Sequence, residues 1–268
     1  MMLRLATWNV NSVRLRLDQI LRFVDQTRPH VLCLQEIKCQ AQEFPADAFA
    51  AVGLKHLAVH GQKGWHGVAL ASSLPIEATP PLDICREGHA RTVSARIGGL
   101  EIHNLYAPAG GDVPDPRDNP KFAHKLDFFD RLTAEMARRN PQSPLVLCGD
   151  LNIAPGAHDV WSHVQMSRVV SHTPVEVERM TRLKASLGFV DLLRQARPEP
   201  EKVFTWWSYR AADFRASNRG LRLDHIWASP GLAQGGWRAA GEVVEVHDAV
   251  RAWDRPSDHA PVTADFAI

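Results

Sequence analysis

Two short apolar runs limit the possible folds of this chain more than any other feature. Val31-Leu32-Cys33-Leu34 leads directly into Gln35-Glu36, and Leu145-Val146-Leu147-Cys148 leads into Gly149-Asp150. Apolar runs of this length, bounded by polar residues, read as buried strands and not as helices. Each ends in a carboxylate. If two packed sheets end these strands at the same edge, the two acids meet. The competing explanation is that residues following a strand are often polar because turns are.

The rest of the chain alternates helix and strand signals. Leu3 to Trp8 reads as a strand. Arg14 to Thr27 reads as a helix, with Leu17, Ile20, Leu21 and Val24 at helical spacing and Pro29 beyond its end. Leu54 to Val59 and Gly67 to Ala71 read as strands joined through Gly61-Gln62-Lys63-Gly64, and Thr92 to Ile97 with Leu100 to Tyr106 as a hairpin turning at Gly98-Gly99. Phe122 to Arg138 is a strongly amphipathic helix, and Val177 to Leu187 a second one stopped by Gly188. Leu221 to Ala228, Glu242 to Val246 and Val262 to Phe266 read as further strands. No Gly/Ser-rich linker or low-complexity tract interrupts the pattern, so residues 1–268 are expected to form a single α/β domain. With 45% hydrophobic and 23% charged residues, the chain can bury a large core without disulfide staples.

The net charge of +1 argues neither for nor against a nucleic-acid partner, because carboxylates of a metal site can offset a basic rim. Cys33, Cys39, Cys85 and Cys148 form no C-x-x-C pair and read as reduced thiols. The N-terminus has no signal-peptide pattern and no apolar run is long enough to cross a bilayer, so a soluble, cytoplasmic protein without membrane partners is expected.

Chemistry-bearing residues collect at strand ends and edge loops. Asn9 and Asn11 follow the first strand, Glu36 the second, and Tyr106 closes Leu100-Leu105. Asp150 and Asn152 follow Leu145-Cys148, Asp224 lies in Arg222-Leu223-Asp224-His225, and Asp258-His259 precedes the last strand. Phosphodiester hydrolysis calls for such a set: oxygen ligands for a hard cation, a base for the attacking water, and donors for the phosphoryl oxygens. An Asp-His pair alone is common on surfaces. Its combination with Gly149-Asp150-Leu151-Asn152, Gln35-Glu36 and Trp8-Asn9 is not a chance assortment.

Seven segments, in order and spread over nearly the whole chain, resemble the exodeoxyribonuclease III family of the exonuclease–endonuclease–phosphatase superfamily. They are Trp8 to Arg14, Leu34 to Lys38, His60 to Ala69, Asn104 to Pro108, Gly149 to Ile153, Asn218 to Asp224 and Ser257 to Pro261. The resemblance implies a four-layered α/β sandwich, two mixed β-sheets packed face to face with helices on the outside and the site at one end. It implies Glu36 as the main metal ligand, helped by Asn9 and Asp258, with Asp150 and Asn152 close by and Mg²⁺ or Mn²⁺ as the ion. Tyr106 would lie near the scissile phosphate. His259 would be base or phosphate partner, itself a possible ligand, with Asp224 holding its ring; Asp150 could instead take the proton.

The segment Val203 to Arg210, continuing to Arg215, Arg219 and Arg222, interleaves arginines with aromatics. This suits a surface that neutralises phosphates and stacks on bases or sugars, although core tryptophans with solvated arginines would look the same. In the family this loop packs on DNA. Trp206 would wall a pocket for a base-less sugar with Leu221 and Leu223, while Asn11, Arg91, Arg210, Arg215 and Arg219 would contact the strand. The implied substrate is double-stranded DNA with abasic sites or 3′ ends, degraded 3′ to 5′ or processed at its ends by a monomer. One position departs from the pattern. Family members usually carry an amide after Tyr-Ala-Pro, and here Ala109 precedes Gly110-Gly111, which puts in doubt the strength of abasic-site cleavage. Asp112, Asp115 and Asp118 lack the spacing of a calcium loop and read as solvated.

A same-fold phosphatase or phospholipase acting on a small phosphorylated substrate is the nearest alternative; the basic-aromatic loop favours DNA. A catalytically inactive DNA-binding protein would have lost a chemical residue, yet Glu36, Asp150, Asn152, Asp224 and His259 are all present. Nucleophile-elbow, Walker, H-E-x-x-H and dinucleotide-binding motifs are missing from the sequence.

Overall fold

The computed structural model describes residues 2–211, 213–234 and 238–267. In chain order the strands are β1 (Met2–Asn9), β2 (Val31–Gln35), β3 (His56–His60), β4 (Val68–Ser72), β5 (Glu77–Thr79), β6 (Thr92–Ile97) and β7 (Leu100–Tyr106). They continue with β8 (Leu145–Asp150), β9 (Val190–Asp191), β10 (Trp206–Trp207), β11 (Gly220–Leu221), β12 (Asp224–Ala228), β13 (Arg238–Val246) and β14 (Val262–Ala267). One six-stranded sheet has the order β13-β14-β1-β2-β4-β3 and the other β5-β6-β7-β8-β12-β9, while β10 and β11 pair separately.

Both sheets are mixed, and the mixing positions the chemistry. β1 and β2 run parallel, with Asn9 opposite Gln35. β7 and β8 also run parallel, with Tyr106 opposite Asp150. Adjacent parallel strands end at the same edge, so each sheet delivers two C-terminal strand ends together. The antiparallel neighbours bring their starts to that same edge: Asp224 pairs with Asp150, and Val262, three residues after His259, pairs with Thr7.

The inner faces meet through Leu3, Leu5, Val31, Cys33 and Leu70 on one side and Ala95, Ile102, Val146, Cys148 and Ile226 on the other. Alternate residues point outward. Ala6, Trp8, Leu32 and Leu34 pack under helix α1 (Leu17–Thr27) through Ile20, Phe23 and Val24. Beyond the short α2 (Ala46–Ala51), the outer face of the second sheet is covered by α3 (Pro120–Met136). A further helix, α4 (His163–Met166), precedes α5 (Pro174–Leu187), which packs beside α3. Phe128, Phe129, Leu132 and Met136 of α3 and Met180, Leu183 and Leu187 of α5 enclose Leu145, Leu147 and Trp227. The result is the expected four-layered sandwich: helix, sheet, sheet, helix. Truncating a fully buried leucine such as Leu147 to alanine would cost about 2–5 kcal/mol.

Most expected elements are present with shifted ends. α1 begins at Leu17 and not at Arg14, because Asn11 and Ser12 both have positive φ and the Arg16 guanidinium turns back to the Tyr209 hydroxyl and the Pro256 carbonyl. α5 begins at Pro174, where Thr173 and Glu176 form a capping box, and stops at left-handed Gly188 as expected. The expected strand over Leu221 to Ala228 is broken. Arg222 separates β11 from β12 because its backbone N–H goes to Asp159 O and not to a neighbouring strand. Cys33, Cys39 and Cys148 are buried and unbridged, Cys85 is half-buried and unbridged, and the loop with Asp112 and Asp118 is exposed. Among the described residues, no helix is long and apolar enough to cross a membrane.

Candidate active site

The two strand-end carboxylates meet. Asn9 Nδ2 donates to Glu36 Oε1 at 2.9 Å and to Asp150 Oδ2 at 2.8 Å, so one buried amide bridges an acid from each sheet. The Asn9 oxygen accepts from Asn11 N at 3.1 Å, which leaves its second lone pair for a cation, and the amide nitrogen spaces the two carboxylates. One acid and one amide of the site are held in unusual backbone: Glu36 has φ 51°, and Asn152, two residues after Asp150, has φ 54°. Such left-handed conformations in non-glycine residues persist where surrounding structure enforces them, often at functional sites. At Gly149 a Cβ would come within 2.0 Å of Leu105 O, so only glycine lets β7 and β8 bring Tyr106 and Asp150 level.

Asp224, at the start of β12, accepts from His259 Nδ1 at 2.8 Å and is fully buried. The other ring nitrogen, Nε2, faces Asp150 Oδ2 at 3.7 Å. Burial disfavours charge on this imidazole, but Asp224 and Asp150 outweigh it and push His259 up to about 10. Asp150 is pushed up to about 7, chiefly by burial and by the charges of Asp224 and Glu36, against the pull of His259 and the Asn9 amide. Burial also acts to raise Glu36, yet Lys38 and Asn9 together hold it below the usual carboxylate range. Burial and the charges of Glu36 and Asp150 push the Tyr106 phenol well up, keeping it a neutral donor. Asp258 hangs between Trp206 Nε1, at 2.9 Å from Oδ2, and Asn11 Nδ2, at 3.3 Å from Oδ1. Burial opposes its charge, and His259 and these donors lower its pKa overall.

Asp150, Asp224 and His259 offer ligand atoms within 4.8 Å of one another. Glu36, Asp150, Asn152, Asp258 and His259 also line one cavity of about 540 Å³ with Tyr106. Three carboxylates and an amide in one cavity are a donor set suited to a hard divalent cation, and Lys38 Nζ lies 2.9 Å from Glu36 Oε2. The same cavity has an apolar and aromatic lining: Trp206, Leu221, Leu223, Trp161 and Met166.

Not every expected residue joins this cavity. Arg219 does, its guanidinium 4.7 Å over the Trp161 ring. Arg210 and Arg215 are exposed beyond its walls. Arg91 lines the adjoining cleft; it is buried, donates to Tyr106 O at 3.2 Å and stacks 5.0 Å from the Tyr106 ring centroid. Arg222 corrects the reading of the basic-aromatic segment. It is buried between Asp159, at 2.6 Å, and Asp191, at 2.9 Å, and is structural. Trp207 is likewise core, whereas Trp206 faces the cavity. Sequence reasoning missed Lys38 and Lys125. Lys38 stands two residues after Glu36 in a matching segment. Lys125 is a charge on the apolar face of α3 whose Nζ donates to Asn152 O at 2.7 Å and Ala109 O at 3.1 Å, tying together the loops after β8 and β7. Trp161 and Met166 carry no local signal.

The sequence profile described as the endonuclease/exonuclease/phosphatase family matches residues 6–259. The chain is 31% identical over 280 aligned positions to exodeoxyribonuclease III of Haemophilus influenzae, covering 98% of this chain and 100% of that protein. An AP endonuclease from Archaeoglobus fulgidus superposes with a TM-score of 0.90 at 32% identity, covering 99% of this chain and 100% of the other. A 3′ phosphatase from Neisseria bound to a product DNA hairpin gives 0.87 at 34% identity, with the same coverage.

Proposed function

The chain belongs to the endonuclease/exonuclease/phosphatase family, and on that premise we propose that it is a Mg²⁺-dependent DNA phosphodiesterase of base-excision repair. It is a hydrolase that removes nucleotides 3′ to 5′ from double-stranded DNA, processes 3′ ends and incises abasic sites. The observation that carries this reading is one cavity lined both by oxygen ligands and an imidazole (Glu36, Asp150, Asn152, Asp258 and His259) and by an apolar, aromatic group (Trp206, Leu221 and Leu223). A phosphate and its sugar need those two surfaces at once. A small soluble phosphate ester would leave the apolar wall unused.

Glu36 would hold the cation with Asp258, Asp150 and Asn152 near it, and Asn9 would fix the spacing of the acids. Bound there, the ion supplies charge stabilisation to the phosphoryl oxygens. Flanked by Asp224 and Asp150, His259 carries a proton and donates to a phosphoryl oxygen, which leaves Asp150 to accept the proton of the attacking water. Tyr106 donates from beside Glu36. Asn11, Arg91, Arg210, Arg215 and Arg219 would contact the DNA backbone around the cavity. Mn²⁺ would substitute for Mg²⁺. The whole chain, 1–268, acts as one domain and as a monomer, in a reducing cytoplasm that suits four free cysteines.

The test uses three matched duplexes: one with a recessed 3′ hydroxyl, one with a 3′ phosphate and one with an internal abasic site. Each is cut in Mg²⁺ and spared in EDTA. Glu36→Gln keeps the fold and loses about a hundredfold or more of turnover. Near-wild-type rates for Glu36→Gln at saturating Mg²⁺, or activity surviving EDTA, would refute the reading.

A further inference from the structure

We infer that Glu87, His89 and His124 form a second metal site, selective for a borderline divalent cation of the zinc class, in the cleft beside the catalytic centre. The cleft has a volume of about 500 Å³. Its lining includes Glu36 and Tyr106 of the catalytic centre together with Glu87, His89 and His124. None of these three belongs to the set around Asn9, Glu36, Asp150 and Asp258.

The three side chains converge on one point. Glu87 Oε2 lies 3.2 Å from His89 Nδ1 and 3.4 Å from His124 Nδ1, and the three ligand atoms lie within 4.8 Å of one another. Ligands bound tetrahedrally at roughly 2.0–2.1 Å from one ion are themselves about 3.3–3.4 Å apart. Hydrogen bonding does not account for the approach: His89 Nδ1 is buried and has no hydrogen-bond partner despite the nearby carboxylate. The His124 ring is oriented from behind, where Nε2 faces the Cys85 thiol at 3.4 Å, the kind of outer contact that aims a ligating imidazole. His89 stacks on His66 with centroids 4.3 Å apart. Burial lowers the pKa of both His89 and His124, so both are neutral and competent to ligate near neutral pH.

Two imidazole nitrogens and one carboxylate suit zinc, whereas a hard cation prefers the all-oxygen set of the catalytic wall. Glu87 is exposed, which leaves room for water as the fourth ligand. The site would join two separate parts of the chain. His124 belongs to α3, while Glu87 and His89 belong to the segment leading to Arg91, whose guanidinium reaches Tyr106. An ion here would therefore pin Arg91 beside the catalytic centre.

Cobalt(II) is the probe, because its visible spectrum reports four-coordination. The protein is Glu36→Gln, which removes the main expected ligand of the catalytic cavity, and a His259→Asn variant of it reports any ion still held by Asp150, Asp224 and His259. One equivalent of cobalt should bind near neutral pH with intense ligand-field bands, be displaced by one equivalent of zinc, and resist millimolar Mg²⁺. Adding His89→Gln and His124→Gln should weaken cobalt binding by more than the roughly hundredfold lost when outer contacts are removed. Thermal unfolding confirms that the variant is folded, and His89→Gln alone, at a partly exposed ring, serves if the double change is not. Absence of the bands, or bands unaffected by the histidine changes, would overturn the inference. Bands lost with His259→Asn but kept without His89 would overturn it too, by assigning the ion to the catalytic wall.

Discussion

Replacing Lys125 by methionine should destabilise this protein by about 4 kcal/mol, although its side chain lines none of the catalytic cavity and meets the expected metal set only through the Asn152 backbone carbonyl. Lys125 and Glu176 are both fully excluded from solvent, with Nζ 2.6 Å from Oε1. Burial pushes the ammonium pKa down, and Glu176 pulls it back. Removing one member of such a pair typically costs about 3–5 kcal/mol, because the other charge stays buried without a partner. Glu176 would keep donors from Ser171 N, Thr173 N and the Thr173 hydroxyl, which moves the cost toward the lower end. The Asn152 and Ala109 carbonyls would lose their donor, adding about 1 kcal/mol each at most. At roughly 2–4 °C per kcal/mol for a chain of this size class, the melting temperature should fall by about 8–16 °C. Urea unfolding followed by fluorescence and circular dichroism gives the free energy, and Glu176→Gln completes a double-mutant cycle. Because neutralising both partners removes the stranded charge, the double variant should be about 2 kcal/mol more stable than the sum of the singles predicts. Nuclease activity should also fall, since Lys125 anchors the loop that carries Asn152. A loss under about 1 kcal/mol, or strict additivity, would show that the buried pair does not hold these loops.

Asp224→Asn and His259→Asn should each lower turnover by about a thousandfold or more, and the double change by little beyond that, because the carboxylate acts through the ring it orients; fully additive losses would separate their roles. Ala109→Asn should raise abasic-site incision by roughly tenfold to a hundredfold over 3′-end processing, as a donor to a charged phosphate is worth about 1.5–3 kcal/mol; an equal change in both activities would dispose of the idea. Acid stability should depend on His225, which burial and the Arg222 guanidinium, a donor to its Nδ1, push down to about 4. Its folded pKa lies below an unfolded value of about 6.5, so its contribution is complete above that pH and is lost as the pH falls through 4. His225→Gln should flatten the stability profile within that window by up to about 3 kcal/mol, and an unchanged acid limb would contradict this.

The sequence by itself determined the buried strands and the strand-end positions of their acids, while the four-layered sandwich was what the family resemblance implied. Val31-Leu34 and Leu145-Cys148 are apolar on every residue, which only a strand covered on both faces requires, and the polar residue that ends each run has to stand at a sheet edge. The amphipathic period of Phe122 to Arg138 determined the outer helical layer in the same way. What remained for the tertiary structure was every property that depends on a distant partner. Arg219 and Arg222 stand three residues apart with the same charge, yet one lines the cavity and the other lies buried between Asp159 and Asp191. Trp206 and Trp207 are adjacent, and strand alternation sends one to the cavity and one to the core. Lys125 carries no signal of its role in the sequence, because its partner Glu176 lies 51 positions later in the numbering. Periodicity records which face of an element meets a core, since burial acts on every turn or alternate residue alike. A charge or an aromatic ring takes its role from the one group it meets, and that group is chosen by sheet order and register, which put Asn9, Glu36, Asp150 and His259 at a single edge.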